Sequence, residues 1–486
     1  MERPLRILVC SGEAMPYAKT GGLADVAGSL PRALNDLGAD ARLALPKYQS
    51  LYQAGTPTEP LYSNLTVPLA QRHQAVGIEY TESGGMPTYL VVSDHHFRRP
   101  SGLYGYPDDA ERFIVFMRGV LEMLARSDWR PDLIHCIDWQ TGLIPVYLRT
   151  RYRDPLGEIA SLYTVHNLAY QGNWPPAVLE PAGLDQSLFN PHQLEFYGQV
   201  SFMKAGLVFA DAVSTVSPTY AREITQPEFG EGLDGVLRDR QSRLFGLLNA
   251  IDYDYWNPAT DPSLTANYAP DTVESAKPLN KDALQAALGL ERRAVPVLAI
   301  ISRLTSQKGL DLVEQALPTL MARDFQFVVL GTGDAHYEQA LRDTAARFPG
   351  RVAVTIGFDE PLAHLIYAGS DLFLMPSRYE PCGLGQMISM RYGTIPVVRR
   401  TGGLADTVQP FAADRLTGNG FVFADYTPQA LAGAVTQALD TYAHPELWSA
   451  LVANAMTTDF SWERSAGDYL ELYRTTIALH ASPVAV

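Results

Sequence analysis

Cysteine is scarce: the chain of 486 residues holds three, Cys10, Cys136 and Cys382, far apart in sequence. That excludes a disulfide framework and a cysteine-based metal site, and predicts reduced thiols in a cytoplasm. Basic residues are also in deficit, with 38 Lys and Arg against 53 Asp and Glu and a net charge of −15. An acidic surface repels both a nucleic-acid backbone and anionic lipid, so neither is an expected partner. An anionic small substrate would need its own local Lys and Arg. No apolar run reaches the roughly 18 residues of a membrane span, so no membrane partner is expected. The segment Met1-Glu-Arg-Pro-Leu-Arg6 runs directly into Ile7-Leu-Val-Cys10 without a signal-peptide core or a transit segment. A nucleophilic serine elbow and a zincin motif are missing too.

What is present reads as two α/β units. At 47% hydrophobic residues the chain can fill two cores, and its length suits two domains of roughly 200–250 residues. Leu5–Ser11, Ala41–Pro46, Thr88–Val92, Leu133–Cys136, Ile159–Val165 and Ala212–Val216 look like buried parallel strands, with helical stretches such as Leu23–Leu37 and Arg112–Ala125 between them. The alternation resumes in Val295–Ser302, Phe325–Leu330, Val352–Ile356, Leu372–Pro376 and Ile395–Val398. Two doubly wound units in series follow, divided near Asp252–Pro270, which is rich in Pro, Asp, Asn and Tyr. A helical stretch, Trp462–His480, and a disordered Ser482-Pro483 tail complete the expectation.

Ligands of open α/β sheets sit beyond the carboxyl ends of the strands, and unusual polar residues gather there. Asp138, His166-Asn167, Arg303 and Lys308, Glu380-Pro-Cys-Gly383 and Thr401-Gly-Gly403 each follow an expected strand. Arg303 and Lys308 could grip phosphate oxygens, one bidentately and one as a point charge. The peptide Thr-Gly-Gly-Leu-Ala-Asp occurs twice, at Thr20–Asp25 and Thr401–Asp406, each time behind a basic residue, Lys19 or Arg400. Paired glycines bare their amides to an anion, and a helix starting at Leu-Ala-Asp adds its positive end. Each of these has a plainer reading: His166 as a structural histidine, Glu380 as a helix cap or ion-pair partner, Asp25 and Asp406 as first-turn acids complementing a helix dipole. For Asp406 the plain reading is kept. Gly331-Thr-Gly333 lacks the third glycine of a dinucleotide fingerprint and is weak evidence for NAD. Asp252-Tyr-Asp254 and Asp94-His-His96 have no evident partner set for a metal, and Cys382 has no flanking base and reads as a small wall residue.

Six blocks together resemble bacterial glycogen synthases and plant starch synthases: Lys19-Thr-Gly-Gly-Leu-Ala-Asp-Val26, His166-Asn-Leu-Ala-Tyr-Gln-Gly172, Asn249-Ala-Ile-Asp252 with Trp256-Asn-Pro258, Arg303-Leu-Thr-Ser-Gln-Lys-Gly309, Glu380-Pro-Cys-Gly-Leu384 and Thr401-Gly-Gly-Leu-Ala-Asp-Thr-Val408. The resemblance implies a GT-B fold, two Rossmann-like domains facing across a deep cleft, divided as 1–252 (acceptor side), 253–460 (nucleotide sugar) and 461–486, the last helix crossing back to the N-terminal domain. It implies transfer of glucose from ADP-glucose to the non-reducing end of an α-1,4-glucan, glycogen or starch, with retention of configuration and no cofactor or metal. Carried over by motif, Glu380, His166, Arg303, Lys308 and Asp138 are the implied catalytic set. Lys19, Gly21, Gly22, Asp25, Tyr104, Asn249, Phe358, Cys382, Gly383, Leu384, Thr401 and Gly402 are the implied substrate-binding set. Two departures stand out: Phe358 where the family often has Tyr, and Gly385 where it often has Ser or Thr.

Overall fold

The computed structural model describes residues 3–100 and 102–482, and the expected tail from Pro483 onward lies outside them. The chain forms two compact units: residues up to Ala250 join those from Trp462 onward, and Ile251–Ser461 form the second. The boundaries fall one or two residues from the expected 252/253 and 460/461. The Ile251 amide donates to Phe460 O (3.0 Å), and Ile251 bridges Ser461, which ties both ends of this segment to one place.

The first unit holds a sheet of nine strands in the order Leu244–Gly246, Ala212–Thr215, Ala160–Val165, Leu133–Ile137, Arg6–Cys10, Asp40–Pro46, Thr88–Val92, Arg72–Thr81, Glu59–Leu69. The first seven are parallel, and their near-continuous Val, Ile, Leu and Ala fit burial on both faces. The last two form an antiparallel hairpin on the edge, so this sheet is mixed rather than wholly parallel. A separate sheet of three short strands, Asn173–Trp174, Gln199–Ser201 and Glu195–Phe196, was not expected either. Counting the parallel strands along the chain, their order reverses between Arg6–Cys10 and Leu133–Ile137, which is a topological switch point.

Helix Gly22–Asp36 buries Ala24, Val26, Ala27, Leu30, Ala33 and Leu34, a stripe at helical spacing. Helix Trp462–His480 buries Trp462, Ser465, Ala466, Tyr469, Leu472, Tyr473 and Thr476 by the same rule and packs against helix Gly22–Asp36 and strand Ala160–Val165. His135 of the sheet meets it: Nδ1 pairs with Tyr473 OH at 3.0 Å and Nε2 with Thr164 Oγ1 at 2.6 Å. Burial pushes that imidazole down to about 3, so it is neutral.

The second unit holds six parallel strands in the order Val352–Ile356, Gln326–Gly331, Val297–Ile301, Leu372–Met375, Ile395–Arg399, Phe421–Phe423. In chain order this is 3-2-1-4-5-6, with the switch point between Val297–Ile301 and Leu372–Met375. Gly331 and Gly333 have a packing role. A Cβ on either would fall 2.0–2.3 Å from the Ser302 or Leu304 carbonyl, so these glycines let the segment after Val297–Ile301 lie flush against its neighbour. Among the described residues no helix is long and apolar enough to cross a membrane.

Candidate active site

Each unit places carboxylates and cations at its own switch point. In the second unit, Arg303 and the 3-10 turn Ser306–Lys308 follow Val297–Ile301, and Ser377 and Glu380 follow Leu372–Met375. Glu380 is 5% exposed. One of its oxygens, Oε2, accepts from Lys308 Nζ at 2.6 Å and from Ser377 Oγ at 2.9 Å. Arg303 is exposed, with Nη2 3.3 Å from Gln307 Oε1. Gln307 carbonyl in turn accepts from the Arg378 amide at 2.8 Å, which joins the two strand-end loops.

The second Thr-Gly-Gly loop is built against Glu380. The Gly403 amide donates to the carbonyls of Glu380 (3.1 Å) and Pro381 (3.2 Å). Gly402 has φ +43, and a Cβ there would lie 1.9 Å from Glu380 O. Fully buried Gln386 was missed in the sequence; its Nε2 donates to Cys382 O (3.1 Å), Gly383 O (3.0 Å) and Thr407 Oγ1 (3.1 Å), pinning Cys382-Gly-Leu384 to this loop. Thr401 and Cys382 are buried. The helix here starts at Gly402 and ends at Thr407, so Asp406 lies beyond its first turn. The first-turn reading of Asp406 is therefore wrong; contact with Glu380 draws the helix start back to the first glycine. At Gly385 a Cβ would sit 2.9 Å from the Phe373 ring, so a Ser or Thr there requires that ring to move. Phe358 follows Val352–Ile356 and is 80% exposed, a free aromatic face at the same edge of the sheet.

In the first unit, Glu13 and Asp138 flank the switch point. Glu13 is 4% exposed, and its Oε2 accepts from the Thr20 amide (2.5 Å) and hydroxyl (2.7 Å). It therefore shapes the first Thr-Gly-Gly loop, a role with no spacing signal in the sequence beyond its place three residues after the strand Arg6–Cys10. Lys19 Nζ pairs with Asp25 Oδ1 at 2.7 Å, and Asp25 stands in the first turn of a helix that begins at Gly22. Gly21 caps that helix, and a Cβ on it would meet nothing within 4 Å.

Asp138 adopts φ +54, a conformation costly for a residue other than glycine and typical of functional sites. Its Oδ1 accepts from the His166 amide at 2.7 Å. Burial, with the Glu13 charge nearby, pushes its carboxyl up to about 7, against the opposing amide bond from His166. Burial likewise raises Glu13 to about 6, although the Thr20 bonds pull it down. Burial lowers His166 to about 4, leaving it neutral. Among the described residues two buried polar atoms at this end of the sheet, His166 Nε2 and Asn249 Oδ1, have no protein partner, while Tyr104 OH and the Gln140 side chain lie against each other. Orphans of this kind demand a ligand or water, and a polyol supplies matching hydroxyls. Asn249 follows the last strand, Leu244–Gly246. The Asp94-His-His96 segment is committed elsewhere, with His96 between Ser93 Oγ (2.8 Å) and Glu111 Oε1 (3.2 Å). Among the described residues no group of three or more His, Cys, Asp or Glu could hold a metal ion.

The raised carboxyl of Asp138 has a measurable consequence. Its folded value lies above the ordinary 3.8, so the cost of holding it ionised is absent at low pH and grows as pH rises between the two values. Stability is therefore lost upward in pH. From about pH 5 to about pH 8 the protein should lose about 2–3 kcal/mol relative to its Asp138→Asn variant. Urea unfolding at both pH values checks this; a difference that stays constant with pH would refute it.

Comparison with known proteins agrees with this geometry. Residues 6–239 match the family model described as starch synthase catalytic domain, and residues 289–455 match glycosyl transferases group 1. The chain is 50% identical to a glycogen synthase of Desulforudis audaxviator, covering 97% of each chain. It is 48% identical to one of Geobacillus stearothermophilus, covering 97% of this chain and 98% of the other. The catalytic domain of starch synthase IV from Arabidopsis thaliana, solved with ADP and acarbose, superposes with a TM-score of 0.90 at 35% identity over 98% of this chain and 100% of that one. With two Rossmann-like units and the last helix returned to the first, the fold is GT-B, and the chain belongs to the glycogen synthase and starch synthase family of glycosyltransferases.

Proposed function

We propose that the protein transfers glucose from ADP-glucose to the non-reducing end of an α-1,4-glucan, with retention at the anomeric carbon, in the cytoplasm and without a metal or other cofactor. The observation that carries this reading is the Lys308–Glu380 pair at the switch point of the second unit. A departing nucleoside diphosphate needs fixed positive charge, and Arg303 and Lys308 supply it. As the diphosphate arrives, Lys308 turns part of its charge from Glu380 to phosphate. The freed carboxylate of Glu380 then supports positive charge developing on the glucose ring. The exposed face of Phe358 suits stacking against adenine, without the hydroxyl a Tyr would add.

In the first unit, the unpartnered atoms of His166 and Asn249, with the neighbouring Tyr104 and Gln140, receive sugar hydroxyls, with the His166 carbonyl near the β face of the anomeric carbon. Lys19 and the amides of Gly21 and Gly22 approach the donor phosphates when the loop closes, Lys19 leaving Asp25 to do so. The acceptor hydroxyl attacks from the face the diphosphate leaves, and the departing phosphate takes its proton.

Initial rates with ADP-glucose and with UDP-glucose on glycogen test the reading. ADP-glucose should be used with the higher kcat/KM and should lengthen the glucan. Preference for UDP-glucose removes the donor assignment, and failure to lengthen glycogen with either donor removes the function.

A further inference from the structure

The antiparallel strands Glu195–Phe196 and Gln199–Ser201 are joined by a loop of two residues, Tyr197-Gly198. Both are left-handed, at φ +49 and φ +79, the pattern of the tight hairpin turn that Asn-Gly forms most readily. A tyrosine at the first of these positions is strained. Burial does not offset the strain, since Tyr197 is 80% exposed, its ring meeting Phe196 edge-on at 4.7 Å. A backbone strained to hold an aromatic ring in solvent is the mark of a residue kept for what the ring touches outside the fold.

The hairpin borders a cavity of about 460 Å³ lined in part by Trp139, Tyr170, Gln171, Asn173, Trp174 and Glu231. Trp174 pairs with Val200 of the hairpin. On the other side, a Cβ on Gly232, the neighbour of Glu231, would lie 3.2 Å from the rings of both Phe196 and Tyr197. The Glu231 carbonyl accepts from Gln171 Nε2 at 2.9 Å, and Gln171 Oε1 accepts from Asn173 Nδ2 at 3.2 Å, so the polar wall is tied together. Flat aromatic faces beside amides and a carboxylate suit a saccharide, whose rings are apolar on their faces and edged with hydroxyls. Trp139 directly follows Asp138, and Tyr170 stands four residues after His166, so the cavity adjoins the residues given to sugar transfer. We propose that the acceptor glucan runs from the transfer site through this cavity and stacks an outer glucose unit on Tyr197, which favours long acceptors over short ones. This rests on the glucan transfer proposed above.

Tyr197→Asn tests the platform, because asparagine suits the left-handed turn and the hairpin keeps its form. Urea unfolding should find the variant at least as stable as the unaltered protein. KM for glycogen should rise about fivefold while KM for maltose, which ends short of Tyr197, stays the same. Calorimetry with maltoheptaose reads the contact without any transfer. The unaltered protein should bind it, Tyr197→Asn should bind about fivefold more weakly, and Tyr197→Phe, which keeps the ring face, should bind as the unaltered protein does. That pattern upholds the platform even where no glucose is transferred, so platform and reaction can fail separately. Equal binding by Tyr197→Asn and the unaltered protein overturns the proposal, as does no binding by either, or a KM that rises equally for maltose and glycogen.

Discussion

Glu380→Gln should lower kcat for glucosyl transfer by about three orders of magnitude while leaving KM for the glucan nearly unchanged. The substitution keeps the volume of the side chain and an acceptor for Ser377 Oγ, now 2.9 Å from Oε2, so the loop should persist. What disappears is the negative charge, and that charge matters most when the sugar ring becomes cationic in the transition state. A second effect runs alongside. Lys308 loses its 2.6 Å partner and is left as a poorly compensated cation, 17% exposed. ADP should then bind at least as tightly as before, because its phosphates inherit the whole of Lys308. Steady-state kinetics with calorimetry on ADP separate the two effects. A variant that retains more than about a tenth of the original kcat would remove Glu380 from the chemistry.

Gly402→Ala should destabilise the second unit by about 3 kcal/mol, whereas Gly21→Ala should leave the first unit as stable as before. The two glycines occupy the same place in the repeated peptide, yet their surroundings differ. At Gly402 the new methyl would fall 1.9 Å from the Glu380 carbonyl in a left-handed backbone, so the loop carrying Glu380 must shift. At Gly21 the methyl meets no protein atom within 4 Å, and φ −162 suits any residue. That freedom turns the second comparison into a test of function. If the first loop receives donor phosphate, a methyl group there meets only ligand, and KM for ADP-glucose should rise about tenfold in a protein of unchanged stability. Urea unfolding and donor kinetics on both variants decide it. A Gly402→Ala protein as stable as the original would show that the loop yields, and an unchanged KM in Gly21→Ala would show that phosphate does not approach there.

Eleven of the parallel strands could be read because burial on two faces forces runs of Val, Ile and Leu that stand out from their surroundings; the edge strands Leu244–Gly246 and Phe421–Phe423, three residues each, were too short to do so. The edge hairpin Glu59–Leu69 with Arg72–Thr81 could not, since one face meets solvent and residues such as Glu59, Ser63 and Asn64 break the apolar run. Site residues were visible where several unusual types share one short segment, as in Arg303 to Lys308 or Glu380 to Leu384. Glu13 and Gln140 each stand alone in sequence, and their meaning comes from a partner brought by the fold, Thr20 and Tyr104, whereas Ser377 and Gln386 flank the Glu380 segment and act on it locally. Asp406 failed for a related reason. Its peptide is identical to that around Asp25, but contact with Glu380 starts the second helix one residue earlier than the first.

The first unit is closed by the last helix, and the second is inserted between its two parts, beginning at Ile251 and ending at Ser461, which bridge each other. Synthesis must therefore make all of Ile251–Ser461 before Tyr469 and Tyr473 can cover His135. Until then the sheet of the first unit carries an uncovered apolar face on the ribosome, while the second unit has everything it needs to fold. The inserted unit should be the earlier of the two to gain protease resistance during translation, and joining Ala250 to Trp462 with a short linker should yield the first unit as an independent domain.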